Sequence, residues 1–171
     1  MARGHKQLLG IAGRHYLAYA LAVRDIHASL TIGNAPSVDV LASSPDGRRS
    51  IAFQVKTSPS AYRRNRFGSE GYEWPVGAGV IGKYWESFWY ALVDLQESQA
   101  GRNPRVFFVP SQWVAKFVKP SWKFFPYFLP ATAAERTLER WDIVAGYLAQ
   151  EPEATAWANA WPRDLLCEWG D

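Results

Sequence analysis

The stretch VDVLASSPDGRRSIAFQVKT, residues 38–57, constrains the fold of this chain more than any other part. Asp46-Gly47 is a strong two-residue turn signal, because a hairpin loop of that length needs positive φ and Asp and Gly tolerate it best. A turn there fixes a register: with Pro45 opposite Arg48, Leu41 falls opposite Ala52, Asp39 opposite Gln54 and Ser37 opposite Lys56. Side chains alternate along a strand. Asp39, Gln54 and Lys56 are therefore expected on one face, and Val38, Val40, Ala42, Ile51, Phe53 and Val55 on the other.

The length, 171 residues, suits a single domain over 1–171 with a real core, and 48% hydrophobic residues with nine Trp argue for a folded chain. The core is expected over about 5–120, followed by a C-terminal helical extension over about 121–171. No apolar run approaches the ~20 residues of a membrane span, and the start MARGHKQLLG lacks a leader's apolar stretch, so a cytoplasmic protein without a membrane partner is expected. The single cysteine, Cys167, excludes an internal disulfide and a Cys-based zinc cluster, and is expected as a packed small hydrophobe. Charge is unevenly spread. Up to Ala134 there are 16 Lys/Arg against 8 Asp/Glu, and beyond it 3 against 8, so the two parts carry +8 and −5. Such asymmetry favours an anionic partner for the first part, without distinguishing nucleic acid from an acidic protein.

Along the chain, residues 5–25 read as a helix whose apolar stripe is Leu9, Ala12, Tyr16, Ala20 and Val23. Residues 27–32 read as a strand, closed by Gly33-Asn34-Ala35-Pro36. After the hairpin, residues 58–79 read as a long loop carrying Tyr62, Arg63, Arg64 and Arg66. Arginines interleaved with aromatics suit phosphate contacts and base stacking, or else a solvated loop with its rings folded back on the core. A short helical segment over 81–86, buried strands over 88–95 and 105–109, and a helix capped by Ser111 and running to Phe117 follow. The order is αβββ(α)ββα, an α/β fold with a mixed central sheet flanked by helices. Thr132-Ala-Ala-Glu135 reads as a capping box for a closing helix striped by Leu138, Trp141, Ala145 and Leu148. Trp157, Trp161 and Trp169 in the tail are expected to pack on the same domain.

Asp, a turn, then Gln-x-Lys on the next strand resembles the PD-(D/E)xK nuclease superfamily, in the variant where Gln replaces the usual acid, as in Mrr-like restriction enzymes. The run NAPSVDVLASSPDGRRSIAFQVKTS, with FWYALVDL and VFFVPS downstream, is similar to a bacterial group of small PD-(D/E)xK proteins related to Holliday-junction resolvases. The resemblance spans roughly residues 5–148, and only the hairpin motif is specific. It implies a restriction-endonuclease-like fold, Mg²⁺ or Mn²⁺ held by Asp39, Gln54 and the backbone carbonyl of Val55, and Lys56 at the attacking water. The activity implied is metal-dependent hydrolysis of a DNA phosphodiester by an endonuclease, with structure specificity left open. Nothing in the sequence reads a 2′-hydroxyl, so RNA stays open as a substrate, and junction cutting would call for a homodimer. In the family a Glu after a Gly on the first helix often completes the site, whereas Gly13-Arg14-His15 has no acid. Arg14 is a candidate phosphate contact. His15 is a substitute ligand, a proton carrier or a surface histidine, and Ser37 is a further auxiliary candidate. The competing reading is a nuclease-fold protein without turnover, serving as a DNA- or protein-binding regulatory module.

Overall fold

Every other element is arranged about one nine-residue strand, Ser50–Ser58. In the computed structural model residues 3–32, 37–64, 68, 70–96, 101–118 and 126–160 are described. Helix α1 (Arg3–Ala22) leads into β1 (His27–Leu30), β2 (Val40–Ser43) and the central β3 (Ser50–Ser58). These are followed by β4 (Tyr62–Arg64), β5 (Glu70–Pro75), a 3₁₀ turn (Ala78–Val80), β6 (Phe88–Asp94), β7 (Arg105–Pro110) and α2 (Ser111–Phe117). The chain closes with β8 (Pro126–Pro130) and helices α3 (Ala131–Ala134), α4 (Trp141–Leu148) and α5 (Pro152–Asn159).

The main sheet has the order β1-β2-β3-β6-β7, antiparallel except for the parallel β3–β6 pair. A second sheet, β4-β5-β8, is antiparallel throughout. The fold is therefore α/β with a mixed sheet, and alternation along β3 and β6 divides it into two cores. Odd-numbered Ile51, Phe53 and Val55, with Trp89, Ala91 and Val93, face Leu17 and Leu21 of α1 and Ile143, Val144 and Tyr147 of α4. Even-numbered Phe88, Tyr90 and Leu92 face Trp74, Trp113 and Tyr127 of the second layer. Because β6 is covered on both sides, all seven of its residues are buried, as its unbroken apolar run requires.

The hairpin keeps the expected register: Leu41 pairs with Ala52 and Val40 with Phe53. Its turn is of another kind. Gly47 donates its N–H to Ser44 O (2.9 Å) and has φ 69°, while Asp46 is not among the residues of positive φ. This is a type I turn, with Pro45 at the position where its fixed φ belongs, and Gly47 takes the left-handed residue that follows. Asp46 accepts from Ser44 Oγ (2.6 Å) and Arg48 N–H (3.1 Å).

Several expectations are corrected. Residues 58–79 are not a loop but contain the β4–β5 pair, and 81–86 hold turns in place of a helix. The inward stripe of α1 is Leu9, Gly13, Leu17, Ala20 and Leu21, with Ala12 and Val23 exposed. Pro110, not Ser111, occupies the N-cap of α2. Thr132 lies inside the one-turn α3, and no continuous helix follows from it. Leu138 forms a bridge to Phe107, and Glu139 at φ 52° turns the chain before α4.

An ion pair with a buried carboxylate and a partly exposed arginine ties the junctions together. Asp94 Oδ2 accepts from Arg105 (3.1 Å), and its Oδ1 accepts the N–H groups of Ala61 (3.0 Å) and Gln96 (3.1 Å). One carboxylate thus closes β6, β7 and the entry to β4. Trp157 packs against Trp89 and Trp113, as expected for a domain-internal contact. Gly33 to Pro36, Arg66, Trp161, Cys167 and Trp169 lie outside the described residues. Among the described residues no helix is long and apolar enough to cross a membrane.

Candidate functional site

The site is built where β2 begins beside β3. Asp39, one residue before β2, donates its N–H to Phe53 O (2.8 Å), although Phe53 is already the partner of Val40. Two residues thus stand opposite one, which is a β-bulge, and a bulge re-aims a side chain. Asp39 consequently does not continue the regular pairing with Gln54, nor Ser37 with Lys56. The Asp39 carboxylate turns into the plane of the sheet, where Oδ2 accepts the N–H of Val55 (2.8 Å). It replaces the pairing that β2 no longer supplies. The carbonyl of Val55 points to the same side as its N–H, because both groups of one strand residue do so.

Helix α1 approaches from the Val55 side. Gly13 is the crossing point, since any Cβ there would collide with Thr57 Oγ1. The next residue, Arg14, places Nη1 3.7 Å from Asp39 Oδ1, with both side chains about one-third exposed at 33% and 27%. Arg14 and Asp39 share an open cleft of about 460 Å³ with Lys6, Gln7, Gly10, Ile11 and Val55. The candidate phosphate contact is therefore paired with the candidate metal ligand. His15, next on the helix, is exposed.

Gln54 and Lys56 lie on the opposite face of β3, level with Tyr90 and Leu92 of β6. Both are half-buried at the margin of the second layer, and neither makes a side-chain hydrogen bond among the described residues. Burial lowers the pKa of Lys56, and the nearby negative charge of Asp39 acts against that shift. A lysine so placed gives up its proton more readily than one in water. The structure thus joins Asp39, Arg14 and the Val55 backbone on one side of the strand, with Gln54 and Lys56 across it.

Ser37 adopts φ 78°, an uncommon conformation for a residue with a side chain, and its Oγ accepts from Lys83 Nζ (3.2 Å). The arginine-rich segment is strand β4, whose residues Tyr62, Arg63 and Arg64 are all exposed. Arg63 donates to Tyr62 O and Arg64 to Gly68 O, while Tyr62 Oη donates to Glu70 Oε2 (2.7 Å). Lys83 is not a candidate from sequence. Its contact with Ser37 depends on how the segment before β6 folds back, and no motif announces that.

Among the described residues no three His, Cys, Asp or Glu side chains cluster as a metal site. The oxygens that remain are the Asp39 carboxylate, the Gln54 carboxamide and the Val55 carbonyl. They are hard donors of the type Mg²⁺ and Mn²⁺ take. The donor set fits such a cation in kind, with one formal negative charge in it and Arg14 competing for that charge. Comparison with family models, curated proteins and solved structures finds no match for this chain.

Proposed function

We propose that this protein hydrolyses phosphodiester bonds of DNA with the help of Mg²⁺ or Mn²⁺, as a PD-(D/E)xK-type endonuclease. The observation that carries the reading is the Asp39 carboxylate fixed on the Val55 N–H of the strand that bears Gln54 and a partly desolvated Lys56. Asp39, Gln54 and the Val55 carbonyl would hold the ion. When bound, it would supply a Lewis acid for the phosphoryl oxygens and a lower pKa for water.

The residues of the chain have separate tasks. Lys56 lies where burial weakens its hold on a proton, so it can orient a water, exchange a proton with it, and place positive charge beside a developing phosphorane. Gln54 contributes a neutral oxygen, which keeps the site's charge low and leaves the anionic phosphate little to repel it. Arg14 neutralises Asp39 in the free protein and is released toward a phosphate oxygen when that carboxylate takes another partner. Arg63 and Arg64, exposed on β4, are the phosphate contacts farther along the strand.

The test is cleavage of supercoiled plasmid, single strands, flaps and four-way junctions in Mg²⁺ or Mn²⁺, with Lys56→Ala in parallel. Cutting that disappears in the variant supports the reading, and equal cutting by both proteins sinks it. The Arg14–Asp39 pair favours a second reading, a nuclease-fold DNA-binding protein without turnover. Calorimetric titration that finds no Mg²⁺ or Mn²⁺ binding, with DNA present, would select it.

A further inference from the structure

Residues 81–87, between the 3₁₀ turn and β6, carry an aromatic plate that the hydrolytic site does not use. Trp85 is 47% exposed and the adjoining Tyr84 56%. A half-exposed tryptophan is ordinary when it stands alone on a surface. Trp85, however, is held from several directions. Ser111, itself 1% exposed, donates its hydroxyl to Trp85 O (3.2 Å) and lies within reach of Trp85 N–H (3.3 Å). The N–H of Phe88 donates to the same Trp85 carbonyl (3.1 Å). The indole lies flat on Phe88, with centroids 4.2 Å apart and planes 15° apart. That stack covers one face of the ring, while the residue as a whole keeps nearly half of its surface exposed.

The plate rests on the face of the sheet that carries Gln54 and Lys56. In the parallel register Phe88 is opposite Ala52, Tyr90 opposite Gln54 and Leu92 opposite Lys56, so Phe88 shares a face with Gln54 and Lys56. Strand geometry puts its backbone about 8 Å from that of Gln54, two residues along and one strand across. From the same segment Lys83 reaches Ser37, two residues ahead of Asp39. The segment thus carries an oriented aromatic ring, stacked on a residue of the face that bears Gln54 and Lys56, and a cation that reaches Ser37.

We propose that Trp85 is a stacking platform for an unpaired nucleobase, with Lys83 taking a phosphate of the same strand. The inference rests on the nuclease reading and names its substrate class: DNA with unpaired nucleotides, such as single strands, flaps or frayed ends. A base inside a duplex already has both faces stacked, so only an unpaired base can lie on the indole. Stacking of this kind is tolerant of sequence, so the preference is for strand state and not for a base.

The experiment uses the Lys56→Ala protein without divalent metal, so that nothing is cut, and measures anisotropy of a labelled oligothymidylate of about 20 nucleotides beside a duplex of equal length. Adding Trp85→Leu, which keeps an apolar contact on Phe88 without a π-face, is expected to weaken single-strand binding about tenfold and leave duplex binding unchanged. Trp85→Phe should retain most of the affinity. The salt slope should be unaffected by either change, whereas Lys83→Ala should reduce it by about 0.7, the value for one phosphate contact on a single strand. If Trp85→Leu binds the oligothymidylate as its parent does, or loses both ligands equally, the platform is refuted while the nuclease reading stands. If the parent binds neither DNA, both proposals fall.

Discussion

Arg14 sets its guanidinium 3.7 Å from the carboxylate of Asp39, at the point where the main sheet stops pairing β2 with β3. The pair has a consequence for any cation at Asp39. Both side chains are about one-third exposed, so their attraction is screened and is worth about 1 kcal/mol or less. An ion competing for the carboxylate must still displace it.

Arg14→Gln is therefore expected to raise Mn²⁺ affinity by up to about fivefold, the equivalent of about 1 kcal/mol, in a calorimetric titration of the metal-free protein. Unchanged affinity would show that Arg14 and the metal do not compete for Asp39. The same variant should lose DNA affinity if Arg14 also serves a phosphate, so the two titrations move in opposite directions.

Lys56 gives a pH-dependent expectation whose sign follows from its lowered pKa. In the unfolded chain the ammonium is fully hydrated and holds its proton at higher pH than in the folded protein. Between the folded and unfolded values the unfolded state binds more protons, so stability rises with pH across that window. Below the window the folded protein carries the whole desolvation cost. Lys56→Met is accordingly expected to stabilise the protein by about 1 kcal/mol at neutral pH, raising Tm by about 2–4 °C, while removing cleavage. The gain should fade as pH climbs into the ordinary lysine range. Thermal scans at neutral and high pH check this, and a variant less stable than wild type at neutral pH would contradict it.

Arg63 and Arg64 project from an exposed strand and, among the described residues, make only local hydrogen bonds to backbone carbonyls. Little of the fold depends on them. Replacing both with Ala is expected to leave Tm within about 1 °C. It should also reduce the slope of log affinity against log salt by about 1.8 on duplex DNA, because two phosphates would no longer be neutralised by the protein. A slope equal to wild type would remove β4 from the DNA-binding surface.

What the sequence made legible was decided by local chemistry, and what it hid was decided by neighbours. The pairing of Val40 with Phe53 follows from a turn signal and an alternation, and both are local. The uninterrupted run over Phe88–Asp94 likewise declares a strand covered twice. The β4–β5 pair is hidden because arginines and glycines there do not alternate clearly, and β5 becomes a strand by pairing with the distant β8. Periodicity finds Leu9, Tyr16 and Ala20 on the inner side of α1 but misses its central contact, because that is Gly13, whose role is to have no side chain. Asp39 and Lys56 can be picked as a motif, yet the bulge that turns Asp39 toward Val55 and Arg14 arises at the end of a pairing. No spacing encodes it.

Gly13 and Thr57 offer the most direct check on how α1 is docked. A Cβ at position 13 would run into Thr57 Oγ1 and lie 3.1 Å from Thr57 Cβ, while the same hydroxyl is buried with no hydrogen-bond partner among the described residues. Gly13→Ala should improve the helix by about 1 kcal/mol through backbone entropy, but the clash must shift helix or strand, at about 1–3 kcal/mol. A net loss is expected. Thr57→Ala deletes the offending oxygen and its unmet hydrogen-bonding demand, leaving only the 3.1 Å approach, which small movements absorb. In the double variant Gly13→Ala should therefore cost much less than it does alone, giving a coupling energy of about 1–2 kcal/mol between the two sites in a denaturation cycle. Additive effects would mean that α1 does not cross β3 at Gly13, and would remove the physical reason for Arg14 to stand beside Asp39.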